Sequence, residues 1–168
     1  VHYECDTSHV TASLKDSKEN EKYAGMGTTF VAATVSDHKV TVMNIGDSRL
    51  YYGNKELKQI TVDHSYVEEL INAGMLDREQ GRIHPKKNVI TRALGSQVAT
   101  PDFFEFEAEE GYLLLCSDGL SNMISNDELK ELLLDHDQIA NKINKMIARA
   151  NEYGGKDNIS LVIVDLKR

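Results

Sequence analysis

Several residue types are scarce in this sequence, and each scarcity limits what the protein can be. The 168 residues include two cysteines, two prolines and no tryptophan. Cys5 and Cys116 are too few for a disulfide framework, which predicts a reducing, cytoplasmic location. Cys116 lies in an apolar run, and this favours a buried thiol over a metal ligand. With only Pro85 and Pro101, the chain has no proline-rich linker, so a single domain is expected.

Basic residues are also in the minority, with 19 Lys and Arg against 27 Asp and Glu, a net charge of −8 at pH 7. This balance argues against a nucleic-acid partner, because neutralising phosphates takes clustered Lys and Arg. No apolar run approaches the roughly 20 residues that span a bilayer, and no basic-then-apolar segment opens the chain. We therefore predict neither a membrane segment nor a signal peptide. Hydrophobic residues make up 40% of the chain, enough for one core.

Most of the periodic segments are strand-like, because they are rich in β-branched and aromatic residues and are bounded by Gly, Asn or Asp. The predicted strands are Thr29–Ser36, Val40–Ile45, Arg49–Tyr52, Leu57–Thr61, Phe103–Glu107, Tyr112–Ser117 and Ile159–Leu166. The alternation in Val1–Asp6 indicates one more strand with a single buried face. Gly53-Asn54 predicts a hairpin turn, and Thr29–Ile60 is predicted to form an antiparallel meander.

Helices are fewer. Ser65 with Glu68, and Ser125 with Glu128, have the spacing of capping boxes at two helix starts. Further on, apolar residues recur at helical spacing at Ile139, Ile143, Met146, Ile147 and Ala150. The segment Asp77–Val89 has little periodicity and is predicted to be a surface excursion. The pattern as a whole predicts an α+β fold, with antiparallel strands and late helices that cover one sheet face.

Three aspartates stand at strand ends: Asp47 between two strands, Asp118 directly after an apolar run, and Asp157 directly before the last strand. Carboxylates that converge from rigid strand ends make an oxygen-rich site for Mg²⁺ or Mn²⁺. Such an ion activates water and polarises a phosphoryl oxygen, so no covalent nucleophile is needed. For any one aspartate beside a glycine, however, a turn is the more frequent role. Spacing alone leaves both interpretations open.

Other sites are less well supported by the residues. The pair Gly25 and Gly27 lacks the third glycine and the preceding strand of a dinucleotide loop, which favours close backbone packing. For His64 and His84, the residues alone favour ordinary surface histidines, with His84-Pro85 setting a turn. No Ser/His/Asp or Cys/His set can be argued from spacing.

Several motifs follow one another in the order of a known family. They are Gly25–Thr29, Ile45–Arg49, Asp63–Gly74 with His84-Pro85, Asn88–Gly95, Ser117–Leu120 and Gly155–Ser160. Together they resemble the metal-dependent protein phosphatases of type 2C (PPM), in their bacterial form. The resemblance implies two antiparallel β-sheets in a sandwich flanked by α-helices. It also implies hydrolysis of phosphoserine and phosphothreonine by metal-activated water, with Mg²⁺ or Mn²⁺ as cofactor. The implied partners are phosphorylated proteins, including a Ser/Thr kinase.

The resemblance also assigns roles to residues. Asp118 and Asp157 match ligands of the first metal, and Asp47 matches a ligand of a weaker third metal that Asp118 also contacts. Gly119 and Asn158 match residues that support the Asp157 loop. Residues 63–95 match a flap and the strand after it. The flap residues expected beside the substrate groove are His64, Ser65 and His84.

Two family motifs are absent from this sequence. One carries the arginine that binds the substrate phosphate, with an Asn-Glu-Asp motif, and the other is Asp-Gly-Met-Gly-Gly-His, with the bridging aspartate and a histidine. No catalytic residue can therefore be assigned. We predict one incomplete domain over residues 1–168, with a break in the chain within about Val10–Ser17. Two alternatives stay open: a non-catalytic binding or regulatory module that retains the fold, and a structural domain whose aspartates are turn residues.

Overall fold

The computed structural model describes residues 25–95 and 100–167. Two predictions, the opening strand Val1–Asp6 and the break within Val10–Ser17, lie outside the described residues. Within those ranges, no helix combines the length and the apolar character needed to cross a bilayer.

The described residues form seven strands in two antiparallel sheets. Their bounds are β1 Phe30–Ser36, β2 Lys39–Ile45, β3 Arg49–Gly53, β4 Leu57–Gln59, β5 Asp102–Glu107, β6 Tyr112–Cys116 and β7 Leu161–Asp165. One sheet has the order β1-β2-β5 and the other the order β4-β3-β6-β7. Each predicted strand from Thr29 onward therefore exists.

The predicted meander over Thr29–Ile60 is wrong, because β2 and β3 belong to different sheets. Gly46 lies between them with a φ of +105°, a conformation that favours glycine and redirects the chain from one sheet to the other. β2 instead pairs with β5 (Lys39 opposite Glu107), and β3 pairs with β6 (Arg49 opposite Cys116). These pairings join segments about 60 residues apart, which local periodicity does not report.

The two sheets face each other across an apolar core. Val40 and Val42 of β2 lie against Leu50 of β3 and Leu113 of β6, and all four are fully buried. Inward-facing residues of both sheets thus make one layer, as expected for a sandwich. The predicted two-sheet arrangement is confirmed.

Five helices in the described ranges lie outside the sandwich: α1 Tyr66–Asn72, α2 Arg78–Ile83, α3 Asp118–Ser121, α4 Asn126–Leu134 and α5 Ile139–Glu152. The helices α3 to α5 cover the outer face of the four-stranded sheet, where Met146 and Ala150 are fully buried against Tyr51 and Leu114. The other residues of the predicted apolar stripe are partly buried: Ile139, Ile143 and Ile147. The last helix ends at Glu152, and Gly154, just after the C-cap Tyr153, has a φ of +120°.

The two predicted capping boxes are half formed. Ser65 and Ser125 do cap their helices, because each side chain accepts a hydrogen bond from the backbone N–H three residues on. The side chain of Glu68 instead accepts two hydrogen bonds from Arg78, at 2.7 and 2.9 Å, and that of Glu128 pairs with Arg149 at 2.8 Å. Charge-assisted bonds to arginine are stronger than a bond to one more backbone N–H.

The segment Asp77–Val89 differs from its prediction, because it contains helix α2. This helix begins with a reciprocal capping box: the Asp77 side chain accepts from the Gln80 N–H at 2.7 Å, and Gln80 accepts from the Asp77 N–H at 3.0 Å. Gly81 lets α2 pack directly on α1, since a Cβ there would lie 2.9 Å from Val67 and Ile71. A six-residue helix is too short for periodicity to show.

Candidate functional site

The three predicted aspartates converge at one end of the four-stranded sheet. Across that end the partners are Arg49 of β3 opposite Cys116 of β6, and Cys116 opposite Leu161 of β7. Asp47 precedes Arg49 by two residues, Asp118 follows Cys116 by two, and Asp157 precedes Leu161 by four. The start of β3, the end of β6 and the start of β7 therefore bring all three carboxylates to the same edge.

The charges of these carboxylates act on one another. Burial raises the pKa of Asp47 to about 6, with further contributions from the negative charges of Asp118 and Asp63. Burial also raises the pKa of Asp118, and the charge of Asp157 adds to the effect. Like charges disfavour ionisation only over short distances. The three residues thus form a chain of interacting anions, with Asp118 in the middle.

The loop of Asp157 is attached to the turn of Asp118. Ser117 donates from its N–H to the Ser160 carbonyl at 2.9 Å, and its Oγ accepts from the Ser160 N–H at 3.0 Å. A Cβ on Gly119 would lie 2.3 Å from the Asn158 carbonyl oxygen, so only glycine allows this approach. Gly119 and Asn158 thus hold the two loops together through backbone contact.

The turn that carries Asp47 is fixed on both sides. Gly46 packs on Thr29, where a Cβ would lie 2.3 Å from the methyl group. Ser48 shares a hydrogen bond of 2.9 Å with the Thr29 hydroxyl. Asn44 is fully buried and donates from its side-chain amide to the Gly46 carbonyl at 3.3 Å. The backbone around Asp47 is thereby held while its carboxylate faces the cleft.

The cation Arg49 stands beside the acidic group. It forms a bidentate pair with Asp63, with Nη2 to Oδ2 at 2.7 Å and Nε to Oδ1 at 2.9 Å. Arg49 also donates to the Tyr51 hydroxyl at 3.1 Å. Arg49 also lowers the pKa of Asp47 and Asp118, but burial and the acidic neighbours outweigh it, so the pKa of both carboxyls stays raised.

A cleft of about 300 Å³ opens over this edge, between α1 and α2 on one side and α3 and the start of α4 on the other. Asp47 and Asp118 line it, and the opposite wall includes Arg82 and Lys87. Both basic residues are exposed, and neither side chain has an ion pair or hydrogen bond to another described residue. Glu79 lines the same wall, so the cleft combines acidic side chains with two cations that have no partner among the described residues. This combination suits an anionic ligand bound beside a cation.

The three predicted flap residues lie in different environments. Ser65 lines the cleft and caps α1. His64 does not line it: the residue is only 4% exposed, and both ring nitrogens are hydrogen bonded inside the protein. His84 ends α2 and accepts from the Lys86 N–H at 3.1 Å, so it stabilises a turn away from the cleft. Of the three, only Ser65 has the predicted position beside a groove.

The carboxylates are the right type of ligand for a hard cation, but too few of them lie close together to bind one. Oxygen donors that repel one another are the ligands Mg²⁺ and Mn²⁺ prefer. Within residues 25–95 and 100–167, however, no three His, Cys, Asp or Glu side chains lie close enough to hold one ion. The close pairs, Asp47 with Asp118 and Asp118 with Asp157, would each supply part of a ligand set. The bridging aspartate motif of the type 2C family is absent from the sequence.

The fold and the acidic edge define the class of protein. The family model "Protein phosphatase 2C" matches residues 5–162, so the chain belongs to the protein phosphatase 2C family. This confirms the family and the fold that the sequence motifs resemble.

Individual relatives are similar over most of this chain. The serine/threonine phosphatase stp of Listeria monocytogenes is 42% identical over 144 residues, which are 84% of this chain and 57% of that protein. The crystal structure of Stp1 from Staphylococcus aureus superposes with a TM-score of 0.89 at 34% identity, covering 95% of this chain and 63% of that one. The catalytic domain of PstP in complex with two manganese ions gives 0.82 at 32% identity, covering 93% and 66%. The chain thus spans about three fifths of the relatives it matches.

Proposed function

We propose that this chain is the larger part of a metal-dependent phosphatase that removes phosphate from phosphoserine and phosphothreonine in proteins. The observation that supports it most is the convergence of Asp47, Asp118 and Asp157 beside a cleft that Arg82 and Lys87 also line. The relatives are named serine/threonine phosphatases, and one was crystallised with two manganese ions. Mg²⁺ or Mn²⁺ is the proposed cofactor.

In this proposal each aspartate has a defined part. Asp118 and Asp157 would hold the first ion, and Asp47 with Asp118 would help to hold the weaker third one. When bound, the metal supplies Lewis-acid activation of water and of a phosphoryl oxygen. The basic side chains Arg82 and Lys87 attract the phosphorylated segment toward the cleft. Gly119 keeps the two loops at the distance that both ligands require.

The proposed partners are phosphorylated proteins, among them a Ser/Thr kinase that supplies the modification this activity removes. We also propose the cytoplasm as the location. The buried, unpaired thiol of Cys116 is compatible with a reducing compartment.

A second candidate function is a non-catalytic module that keeps the family fold and binds a partner. Two observations favour it: the arginine and bridging-aspartate motifs are absent from the sequence, and no three-residue metal cluster lies within the described ranges. Stabilising the charge that develops in the transition state usually contributes more to catalysis than any other effect, so a site without those groups loses most of its rate.

Metal binding is tested by thermal unfolding in Mn²⁺ against EDTA. A site filled at 100 times its Kd stabilises the fold by about 2.7 kcal/mol, so the melting temperature should rise with Mn²⁺ concentration. Asp118→Asn removes the ligand common to both pairs and should abolish the rise. Glu109→Gln, at an exposed position outside the cleft, is the control and should keep it. An unchanged melting temperature for the parent chain would contradict the metal site.

Catalysis is tested separately with p-nitrophenyl phosphate. The 168-residue chain should turn it over barely or not at all with Mn²⁺, because the bridging ligand and the phosphate-binding arginine are absent. Robust turnover that EDTA inhibits and Asp157→Ala eliminates would contradict the non-catalytic candidate. A Mn²⁺-dependent rise in melting temperature without turnover would favour it.

A further inference from the structure

His64 is attached to the residue before Asp47 by two hydrogen bonds. Its N–H donates to the Gly46 carbonyl at 2.9 Å, and its ring Nδ1 accepts from the Gly46 N–H at 3.1 Å. The Gly46 carbonyl also accepts from the Asn44 side-chain amide at 3.3 Å, whereas its N–H donates to the His64 ring. Gly46 lies between β2 and β3, outside either strand, and adopts a φ of +105°.

The bond from Gly46 determines which ring nitrogen of His64 carries the proton. Nδ1 accepts a hydrogen bond, so it has no proton of its own, and the neutral ring must be protonated at Nε2. Nε2 lies 3.0 Å from Asp102 Oδ2, in reach to donate. Arg92 Nη1 is also 3.3 Å from Nε2, but it has a shorter acceptor in Asp102 Oδ1, at 3.0 Å. A doubly protonated ring would place an N–H against the Gly46 N–H. The neutral Nε2–H form is thus the one that fits.

Asp102 keeps the ring in that form. Burial opposes its ionisation, but the hydrogen bond from His64, together with the charge and hydrogen bond of Arg92, outweighs burial and lowers the pKa of Asp102. Arg92 donates to the other carboxylate oxygen at 3.0 Å and is 35% exposed. An ionised Asp102 accepts a hydrogen bond from Nε2–H and orients the ring, as carboxylates do for metal-bound histidines.

We infer that His64 is a positioning residue for the metal site, which fixes the Gly46–Asp47 turn and thereby directs the Asp47 carboxylate toward Asp118. This inference rests on the proposed function for the role of Asp47 as a ligand. The hydrogen-bond path is Asp102 to His64 to Gly46, and it connects the first residue of β5 to the turn before β3. The ring does not line the cleft, so it would act on the proposed ligand only through the Gly46 backbone.

Two substitutions distinguish the hydrogen bond made by Nδ1 from the one made by Nε2. In His64→Asn the side-chain oxygen takes the place of Nδ1 and can still accept from Gly46. In His64→Gln the side-chain amide takes the place of Nε2 and can still donate to Asp102, but Gly46 loses its acceptor. Asn is one methylene smaller than Gln, so at this buried position His64→Asn loses more packing than His64→Gln. Lost packing alone therefore predicts the larger effect for His64→Asn, the opposite of the order expected from the Gly46 hydrogen bond.

The measurements are made on the full chain. Without metal, hydrogen exchange of the Gly46 amide should stay slow in His64→Asn and become fast in His64→Gln. Mn²⁺ affinity from thermal titration should stay close to the parent in His64→Asn and fall about 10- to 100-fold in His64→Gln, the usual cost of removing a group that orients a ligand. The ¹⁵N shifts of the parent ring should identify Nε2 as protonated and Nδ1 as bare.

Each result supports or overturns the inference. Equal effects of the two variants on the Gly46 amide and on Mn²⁺ affinity, or a proton on Nδ1, would overturn it. If the parent chain shows no Mn²⁺ response, the proposed function fails, and the Gly46 amide alone decides the positioning role. If neither His64 variant folds, Asp102→Ala replaces them: 41% of the Asp102 side chain is exposed, and faster exchange of the Gly46 amide is then the supporting result, unchanged exchange the contrary one.

Discussion

Replacing Asp47 with asparagine should make the metal-free protein more stable. The carboxylate of Asp47 is largely buried and faces the charges of Asp118 and Asp63, and its pKa is raised from 3.8 to about 6. Asparagine has nearly the same shape and no charge. The substitution therefore removes the repulsion while keeping the packing of the turn.

The size of the gain follows from the pKa. A pKa difference of one corresponds to about 1.36 kcal/mol, so raising this carboxyl from 3.8 to about 6 costs its ionised form at most about 3 kcal/mol. Solvent screens part of this for a side chain that is not fully buried. We expect Asp47→Asn to gain about 1–2 kcal/mol at pH 8, or about 2–8 °C in melting temperature for a chain of this length.

The gain should depend on pH with a definite sign. A carboxyl whose pKa is higher in the folded protein binds its proton more tightly there, so stability falls as pH rises between the two values. The cost of Asp47 is absent below about pH 4 and complete above about pH 6. The advantage of Asp47→Asn should thus be small at pH 4 and full at pH 8.

The assay is urea unfolding in EDTA at several pH values between 4 and 8, with parent and variant side by side. Glu109→Gln is the control, since this exposed residue has no hydrogen bond or ion pair to another described residue, and its removal should change stability by less than about 0.5 kcal/mol. If Asp47→Asn is no more stable than the parent at pH 8, or its gain is the same at pH 4, the electrostatic reasoning is wrong.

Three further outcomes are expected. Lys142→Ala should lose about 2–4 kcal/mol in urea unfolding, because the fully buried ammonium donates to the Leu133 carbonyl at the end of α4; a loss below about 1 kcal/mol would contradict this. Gly119→Ala should lower both stability and Mn²⁺ affinity, since its Cβ would meet the Asn158 carbonyl oxygen at 2.3 Å; unchanged thermal titrations would refute the contact. Burial raises the pKa of Cys116 to about 12, so a thiol reagent should label it only after unfolding, as peptide mapping can measure; rapid labelling of the folded chain would refute its burial.

The strands were predictable because each carries its own evidence, a short run of β-branched and aromatic residues with breakers at its ends. The sheet to which each strand belongs was not predictable, because pairing joins distant segments such as β2 and β5. Distant contacts also explain why the two predicted capping boxes formed only in part. Ser65 and Glu68 have the spacing of a capping box, but Arg78 binds the glutamate side chain once the chain folds.

The candidate site likewise has some features that the sequence predicts and some that it does not. That Asp47, Asp118 and Asp157 share one edge could be expected from their positions at strand ends, although spacing alone did not exclude turns. The proposed role of His64 could not be predicted from the sequence, because its partner Asp102 is 38 residues away.

The electrostatics of the acidic edge also explain why it is held together by neutral groups. Asp47, Asp118 and Asp157 repel one another, and Arg49, which is paired with Asp63, does not offset that repulsion, so the fold must hold the carboxylates together against it. A cationic side chain would relieve the repulsion but would also occupy the place of a divalent ion. Backbone hydrogen bonds, a glycine contact and a neutral imidazole fix the turns without adding positive charge. If the proposed metal site is correct, this excess negative charge is what a cation binds, and lower metal-free stability is its consequence.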